Sequence, residues 1–171
     1  MQKQLAGKAF VFGNNIDTDQ IYPGRYLDLT DPPDVAKHAM EGASDPDFRR
    51  DFQAGDILVA GSNFGCGSSR EHAVVTLTAA GARAVLAESF ARIFYRNGIN
   101  LGLPLLVCPG IGKKVRRGDS LVVDLEASVV RNSTQNESYP LETVSGYARR
   151  ILEAGGIKPL LRAQTGSRSN L

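Results

Sequence analysis

With 171 residues, 42% of them hydrophobic and 22% charged, the chain has the size and make-up of about one globular domain and can bury a core without staples. A formal charge of +2 gives no argument for a nucleic-acid partner, and no apolar run approaches the roughly 18 residues of a membrane span. Two cysteines, Cys66 and Cys108, exclude a disulfide framework and are too few for an iron–sulfur cluster, which takes about four thiolates; with no apolar secretory core at the start, they point to a reducing, cytoplasmic compartment.

In chain order, residues 7–12 read as a first strand, ended by Gly13-Asn14-Asn15. A polar loop covers 16–29. Asp31-Pro32-Pro33-Asp34 looks like a helix start, with the helix running to Met40 and Gly42 stopping it. Residues 56–60 read as a buried strand, 63–72 as a turn of small and polar residues, and 73–80 as a helix. A second strand–helix pair follows: a strand at 83–87, then Ser89 capping a helix over 90–97 that Gly98 closes. Residues 101–107 form a strand candidate interrupted by Gly102 and Pro104. The basic run 113–117, between Gly112 and Gly118 and without aromatics, reads as a solvated loop. Residues 120–125 and 128–131 form a hairpin about Glu126-Ala127, and a late helix over about 141–153 ends at Gly155-Gly156. The pattern predicts a single α/β domain over 1–171 with short parallel βαβ units, a core of about 7–161 and a fraying tail at 162–171.

The turn at 63–72 carries the most chemistry. Ser68 and Glu71 have the S-x-x-E spacing of a capping box, which leaves Ser69, Arg70, Gly65 and Gly67 unaccounted for. Glycines let a ligand approach the backbone, an arginine offers a fork for a carboxylate, and the first amides of the following helix lack internal partners. Together these predict an anion site. The spacing fits neither a phosphate-binding G-x-x-x-x-G-K-[ST] loop nor a G-x-S-x-G nucleophile elbow. A serine–histidine–aspartate triad has only His38 and His72 to draw on; His72 reads as a packed or capping-region residue and His38 as a surface helix residue. Asp17-Thr18-Asp19 suits a hydrogen-bonded turn better than a metal site, since the ligand series of a calcium loop is missing.

Three motifs in order, residues 14–21, 63–72 and 89–97, resemble the swivelling domain of the aconitase superfamily, in the form of the stand-alone small subunits of 3-isopropylmalate dehydratases and homoaconitases. The resemblance spans about 7–161. It implies a three-layer β/β/α swivelling domain without metal or cofactor of its own, paired as a heterodimer or heterotetramer with a large subunit that carries a [4Fe–4S] cluster. The implied reaction is that of a hydro-lyase, isomerising 2-isopropylmalate and 3-isopropylmalate through 2-isopropylmaleate in leucine biosynthesis. By resemblance Ser68 is the proton-abstracting base, Ser69 and Arg70 hold substrate carboxylate, and Asp19 is a polar support. Substrate choice is associated with Tyr26, Leu27 and Leu29; Asp28 stands where relatives often carry arginine, which disfavours a third carboxylate. Homoaconitate and other branched malates (dimethylmalate, methylmalate) are the alternative substrates. A non-catalytic anion-binding module is the alternative of a different class.

Overall fold

The computed structural model describes residues 2–166. Its elements are β1 (Gln4–Val11), α1 (Thr18–Ile21), a 3-10 turn (Gly24–Tyr26), α2 (Pro32–Ala36), α3 (Phe48–Asp51), β2 (Ile57–Ala60), α4 (Glu71–Ala79), β3 (Ala84–Ala87), α5 (Arg92–Asn100), β4 (Leu105–Val107), α6 (Ile111–Lys114), β5 (Ser120–Asp124), β6 (Val129–Asn132), β7 (Glu137–Pro140), α7 (Gly146–Ala154) and α8 (Ile157–Gly166). The strands lie in the order β4-β3-β2-β1-β5-β6-β7.

Strand β1 serves two ladders with its two ends. Residues 4–8 pair antiparallel with β5, Leu5 opposite Val123, whereas residues 9–11 pair parallel with β2, Ala9 opposite Ile57. β2, β3 and β4 continue the parallel half, and β5, β6 and β7 the antiparallel half. Along β2 the side chains alternate between two cores. Leu58 and Ala60 join Phe10, Val85, Leu77 and Phe94 under the helices, while Ile57 and Val59 join Leu5, Leu121, Val123 and Val130 on the opposite face. Helices thus cover one face of the parallel sheet and the antiparallel ladder curls over the other, which is the three-layer β/β/α arrangement. A sheet buried on both faces explains why β2 and β3 are unbroken apolar runs.

Several local expectations are corrected. Gly98 does not close α5; it lies within the helix, where a Cβ would sit 2.3 Å from Leu105 Cδ1, so close packing on β4 accounts for the glycine. Nor does Ser89 cap α5, whose N-cap is Ala91; the Ser89 hydroxyl accepts from the Asn63 amide at 2.8 Å. The helix starting at the proline pair ends at Ala36 rather than Met40, where the chain turns through a left-handed Met40 (φ 57) whose amide donates to Ile21 O. β4 is confined to three residues, since Pro104 accepts from the Val85 amide and cannot donate in return. In the basic run, Val115 is buried, and Arg117 packs over the Phe10 ring at 5.0 Å while pairing with Asp45 and Asp51. The late helix starts at 146 behind a Ser145 N-cap and ends on a left-handed Gly155. The tail expected to fray at 162–171 is helical through Gly166, and its last five residues lie outside the described ones.

The packing of α5 on β4 can be tested at Gly98. Alanine is favoured over glycine inside a helix by about 1 kcal/mol, but the Leu105 contact makes Gly98→Ala an overpacking change that costs about 1–3 kcal/mol. Urea unfolding is expected to show net destabilisation; a more stable variant would contradict this packing.

Candidate active site

The loops that leave the C-terminal ends of β1, β2 and β3 converge, which is where parallel sheets place their ligands. A backbone seam stitches the first two together. The Asn15 amide donates to Ser62 O at 2.8 Å, Gly65 to Ile16 O at 2.7 Å and Thr18 to Cys66 O at 2.8 Å, and the Thr18 hydroxyl donates to Ser68 O at 3.0 Å. The third loop joins through the Phe64 amide to Ser89 O and the Ala91 amide to Phe64 O. Asn15 and Asn63 adopt left-handed backbone (φ 55 and 61), which asparagine tolerates better than most residues. Gly65 (φ 83) leaves out a side chain whose space the Phe94 ring fills, with Cγ 2.1 Å from an ideal Cβ. Its requirement is therefore aromatic packing, not the close approach of a ligand.

The capping box expected at Ser68 and Glu71 does not form. α4 begins at Glu71 with Arg70 as N-cap and no side-chain cap, and the Ser68 carbonyl is taken by Thr18. A capping box exists one loop earlier: Asp17 Oδ1 accepts from the Gln20 amide at 2.8 Å, and Gln20 Oε1 accepts from the Asp17 amide at 2.9 Å. Asp17-Thr18-Asp19 is thus the hydrogen-bonded start of α1.

Ser68, Ser69 and Arg70 line one hollow of about 350 Å³ together with Thr18, Asn63, Arg92 and Asn97. Both serines are exposed, and among the described residues neither hydroxyl is engaged in a hydrogen bond. Arg70 Nη1 donates to Asp19 Oδ1 at 2.9 Å, and the same oxygen accepts from the Gly24 amide at 2.8 Å. That amide first, then the guanidinium, hold the Asp19 carboxyl below its ordinary value. Gly24 lies so close that a Cβ there would stand 3.3 Å from both terminal guanidinium nitrogens. Thr18, Asn63, Arg92 and Asn97 were not singled out by the sequence as site residues. For Arg92 the legible signal was a basic residue in the first turn of a helix, where acidic residues are favoured.

Tyr26, Leu27 and Leu29 are not walls of this hollow. Tyr26 belongs instead to a polar cluster. Its hydroxyl donates to Glu41 Oε1 at 2.6 Å, its ring stacks on His38 at 3.6 Å, and Arg25 lies 4.7 Å over the ring while donating to Glu41 at 2.8 Å. His38 is accordingly half-buried and bonded to Glu41, not a free surface residue. Leu27 is 37% exposed and Leu29 partly buried. His72 stacks on the buried Tyr22 ring, a packing role.

A larger hollow of about 710 Å³ lies between α5 and α7. It shares Arg92 with the smaller hollow but lacks the serines and Arg70. Among the described residues no group of three or more His, Cys, Asp or Glu side chains could hold a metal ion, and no helix is long and apolar enough to cross a membrane. Cys108 is buried, which pushes its thiol up to about 11, and its Sγ donates to Pro140 O at 3.3 Å. A buried protonated thiol with one partner cysteine in the whole chain does not fit an iron–sulfur cluster.

Residues 14–109 match the aconitase C-terminal domain family. The chain is 52% identical to the 3-isopropylmalate dehydratase small subunit 1 of Methanopyrus kandleri, with 96% of each chain covered. It is 51% identical to the isopropylmalate/citramalate isomerase small subunit of Methanocaldococcus jannaschii, covering 95% of this chain and 96% of that one. A crystal structure of a 3-isopropylmalate dehydratase from Methanocaldococcus jannaschii superposes with a TM-score of 0.93 at 42% identity, over 97% of this chain and 98% of that one.

The cluster around Glu41 has a pH signature. Burial would push its carboxyl up, but hydrogen bonds from Tyr26, His38 and Arg25 outweigh burial and hold it at about 2, below its ordinary 4.5. A carboxyl lowered by folding stabilises the fold above its unfolded value and loses that contribution as pH falls through the folded one. The melting-temperature gap between the parent chain and Glu41→Gln is therefore expected to be full above pH 4.5 and to close as pH falls toward 2. A gap independent of pH would contradict it.

Proposed function

The chain belongs to the aconitase C-terminal domain family, among the small subunits of 3-isopropylmalate dehydratases, and from that premise we propose that it supplies the serine half of a hydro-lyase active site that interconverts 2-isopropylmalate and 3-isopropylmalate in leucine biosynthesis. The observation that carries this reading is the convergence of Ser68, Ser69 and Arg70 on one open hollow, with both serine hydroxyls exposed.

Ser68 takes the proton from the carbon beside a substrate carboxylate. A serine hydroxyl is a weak base, so its alkoxide needs donors aimed at it. The uncapped start of α4 leaves backbone amides available two to three residues away, and Arg70 adds a positive charge. Arg70 and Ser69 hold the substrate carboxylate: a carboxylate ligand competes with Asp19 for the guanidinium and can engage it through two parallel hydrogen bonds. Asp19 keeps the Gly24 amide throughout, so the loop stays beside the site while the arginine changes partner. A [4Fe–4S] cluster, when bound on the large subunit, would supply Lewis-acid chemistry for departure of the substrate hydroxyl.

A large-subunit partner, in a heterodimer or heterotetramer, accords with a half-site left open to solvent and with Ile93, 54% exposed, on its rim. Leu27 and Leu29 stand outside the hollow, on the loop that the Gly24 amide ties to Asp19 beside Arg70, and from there would offer apolar contact to an alkyl branch reaching past it, while the exposed Asp28 opposes a third carboxylate, as homoaconitate would bring. A second substrate reading, a malate with a smaller branch, is favoured by the relative named for both isopropylmalate and citramalate. The two free thiols suit a reducing, cytoplasmic compartment.

Mixed with a cluster-bearing large subunit, the chain is expected to support hydration of 2-isopropylmaleate, followed by ultraviolet absorbance. Ser68→Ala is expected to lower kcat by roughly 10²–10⁴-fold, the usual worth of a positioned proton-transfer group, with KM nearly unchanged. Undiminished turnover in that variant would overturn the role of Ser68.

A further inference from the structure

Glu41 lies outside every motif in the sequence, yet it organises the loop that follows Gly24. Its carboxylate, one-fifth exposed, accepts from Arg25 at 2.8 Å and from the Tyr26 hydroxyl at 2.6 Å, contacts His38 Nδ1 at 2.5 Å, and has Arg49 at 3.7 Å. One negative charge thus stands among three basic side chains and a phenol. The Tyr26 ring is clamped between the His38 ring and the Arg25 guanidinium. Its carbonyl accepts from the hydroxyl of the buried Tyr22 at 2.6 Å. Two tight turns then hang from this anchor, Leu27 N to Gly24 O and Leu29 N to Tyr26 O. The loop is consequently pinned at two points, Gly24 to Asp19 at the Arg70 end and Tyr26 to Glu41 at the far end.

We propose that Glu41 is a positioning residue for substrate selectivity: by clasping Arg25 and Tyr26 it fixes where Leu27 and Leu29 stand, and so sets the affinity for the substrate's alkyl branch without touching substrate. The proposal rests on the reading of residues 26–29 as the substrate loop. Without the carboxylate, Arg25, Arg49 and the Tyr26 hydroxyl lose their shared partner, and like charges are left facing one another. Arg25 then leaves the ring, and the turn it belongs to loosens. Substrate must order that loop on binding, a cost that falls on affinity. The Ser68–Arg70 turn hangs from the seam with the 16–18 segment and is not part of the clasp, so the rate of the bound complex is spared. Loss of binding common to ground and transition states raises KM at unchanged kcat.

The test uses the complex with a large subunit and the variants Glu41→Ala and Glu41→Gln. Glu41→Ala is expected to raise KM for the isopropyl substrate roughly tenfold with kcat within about twofold, and to narrow the kcat/KM preference for isopropyl over methyl branches by a similar factor. Hydrogen exchange at the amides of residues 24–29 is expected to accelerate while β2 stays protected. Glu41→Gln keeps an acceptor for Tyr26 but not the charge, and should fall between the two. Unchanged KM and selectivity, or a fall in kcat alone, would overturn the proposal; so would unchanged exchange in the loop. A parent complex inactive toward every branched malate would instead overturn the proposed function, and the clasp would then stand or fall on the exchange comparison.

Discussion

The backbone seam between the segments after β1 and β2 is the constraint on which the site depends. Gly65 N to Ile16 O, Thr18 N to Cys66 O and Thr18 Oγ1 to Ser68 O fasten the two loops, which meet in an isolated parallel bridge between Asp17 and Cys66. The seam engages Gly65 N, Cys66 O and Ser68 O with partners in the protein, so the Ser68 and Ser69 side chains can stand in solvent on a held backbone. Its upper end is buttressed by Phe64 and Phe94, whose rings meet edge to face at 5.4 Å. Its lower end is held by the Asp17–Gln20 capping box, which orients Thr18. Loop residues carried on such a scaffold can present reactive groups without costing the fold its core.

Charge completes what the seam begins. Asp19 stands between the Arg70 guanidinium and the Gly24 amide, so the arginine is held in place before any ligand arrives, and the neighbouring loop is held with it. Glu41 does the equivalent at the other end of that loop. Two carboxylates on separate segments thus bracket residues 24–26, Asp19 beside Arg70 and Glu41 among Arg25, Tyr26 and His38. The proposed function divides its labour along the same line, with proton transfer and carboxylate binding given to the 65–70 turn and contact with the substrate's branch to the bracketed loop.

Much of this was legible in the sequence, and the parts that were not share a physical cause. The strands at 57–60 and 84–87 were readable because burial on both faces leaves an unbroken apolar run. The Ser68–Arg70 turn was readable because small residues beside an arginine at a strand-to-helix junction have few other uses. The capping box was misplaced because S-x-x-E and D-x-x-Q have equal spacing; only the tertiary bond from Thr18 to the Ser68 carbonyl decides that α4 starts at Glu71. Gly98 read as a stop because the side chain that replaces its own, Leu105, belongs to the next strand. The short α1, α3 and α6 and the edge strand β7 have too few residues to show a period. The Tyr26 hydroxyl is committed to a glutamate fifteen positions on, a partner no local pattern reveals.

The proposed role of Ser68, base of a half-site completed by another chain, is decided by a crystal structure of the complex with a large subunit and a bound branched malate, through the distance from Ser68 Oγ to the carbon that loses its proton. A near-attack separation of about 3–3.5 Å, with a substrate carboxylate on Arg70, is the result expected. A substrate seated away from Ser68, in the hollow between α5 and α7 or with the serine turned outward, would contradict it.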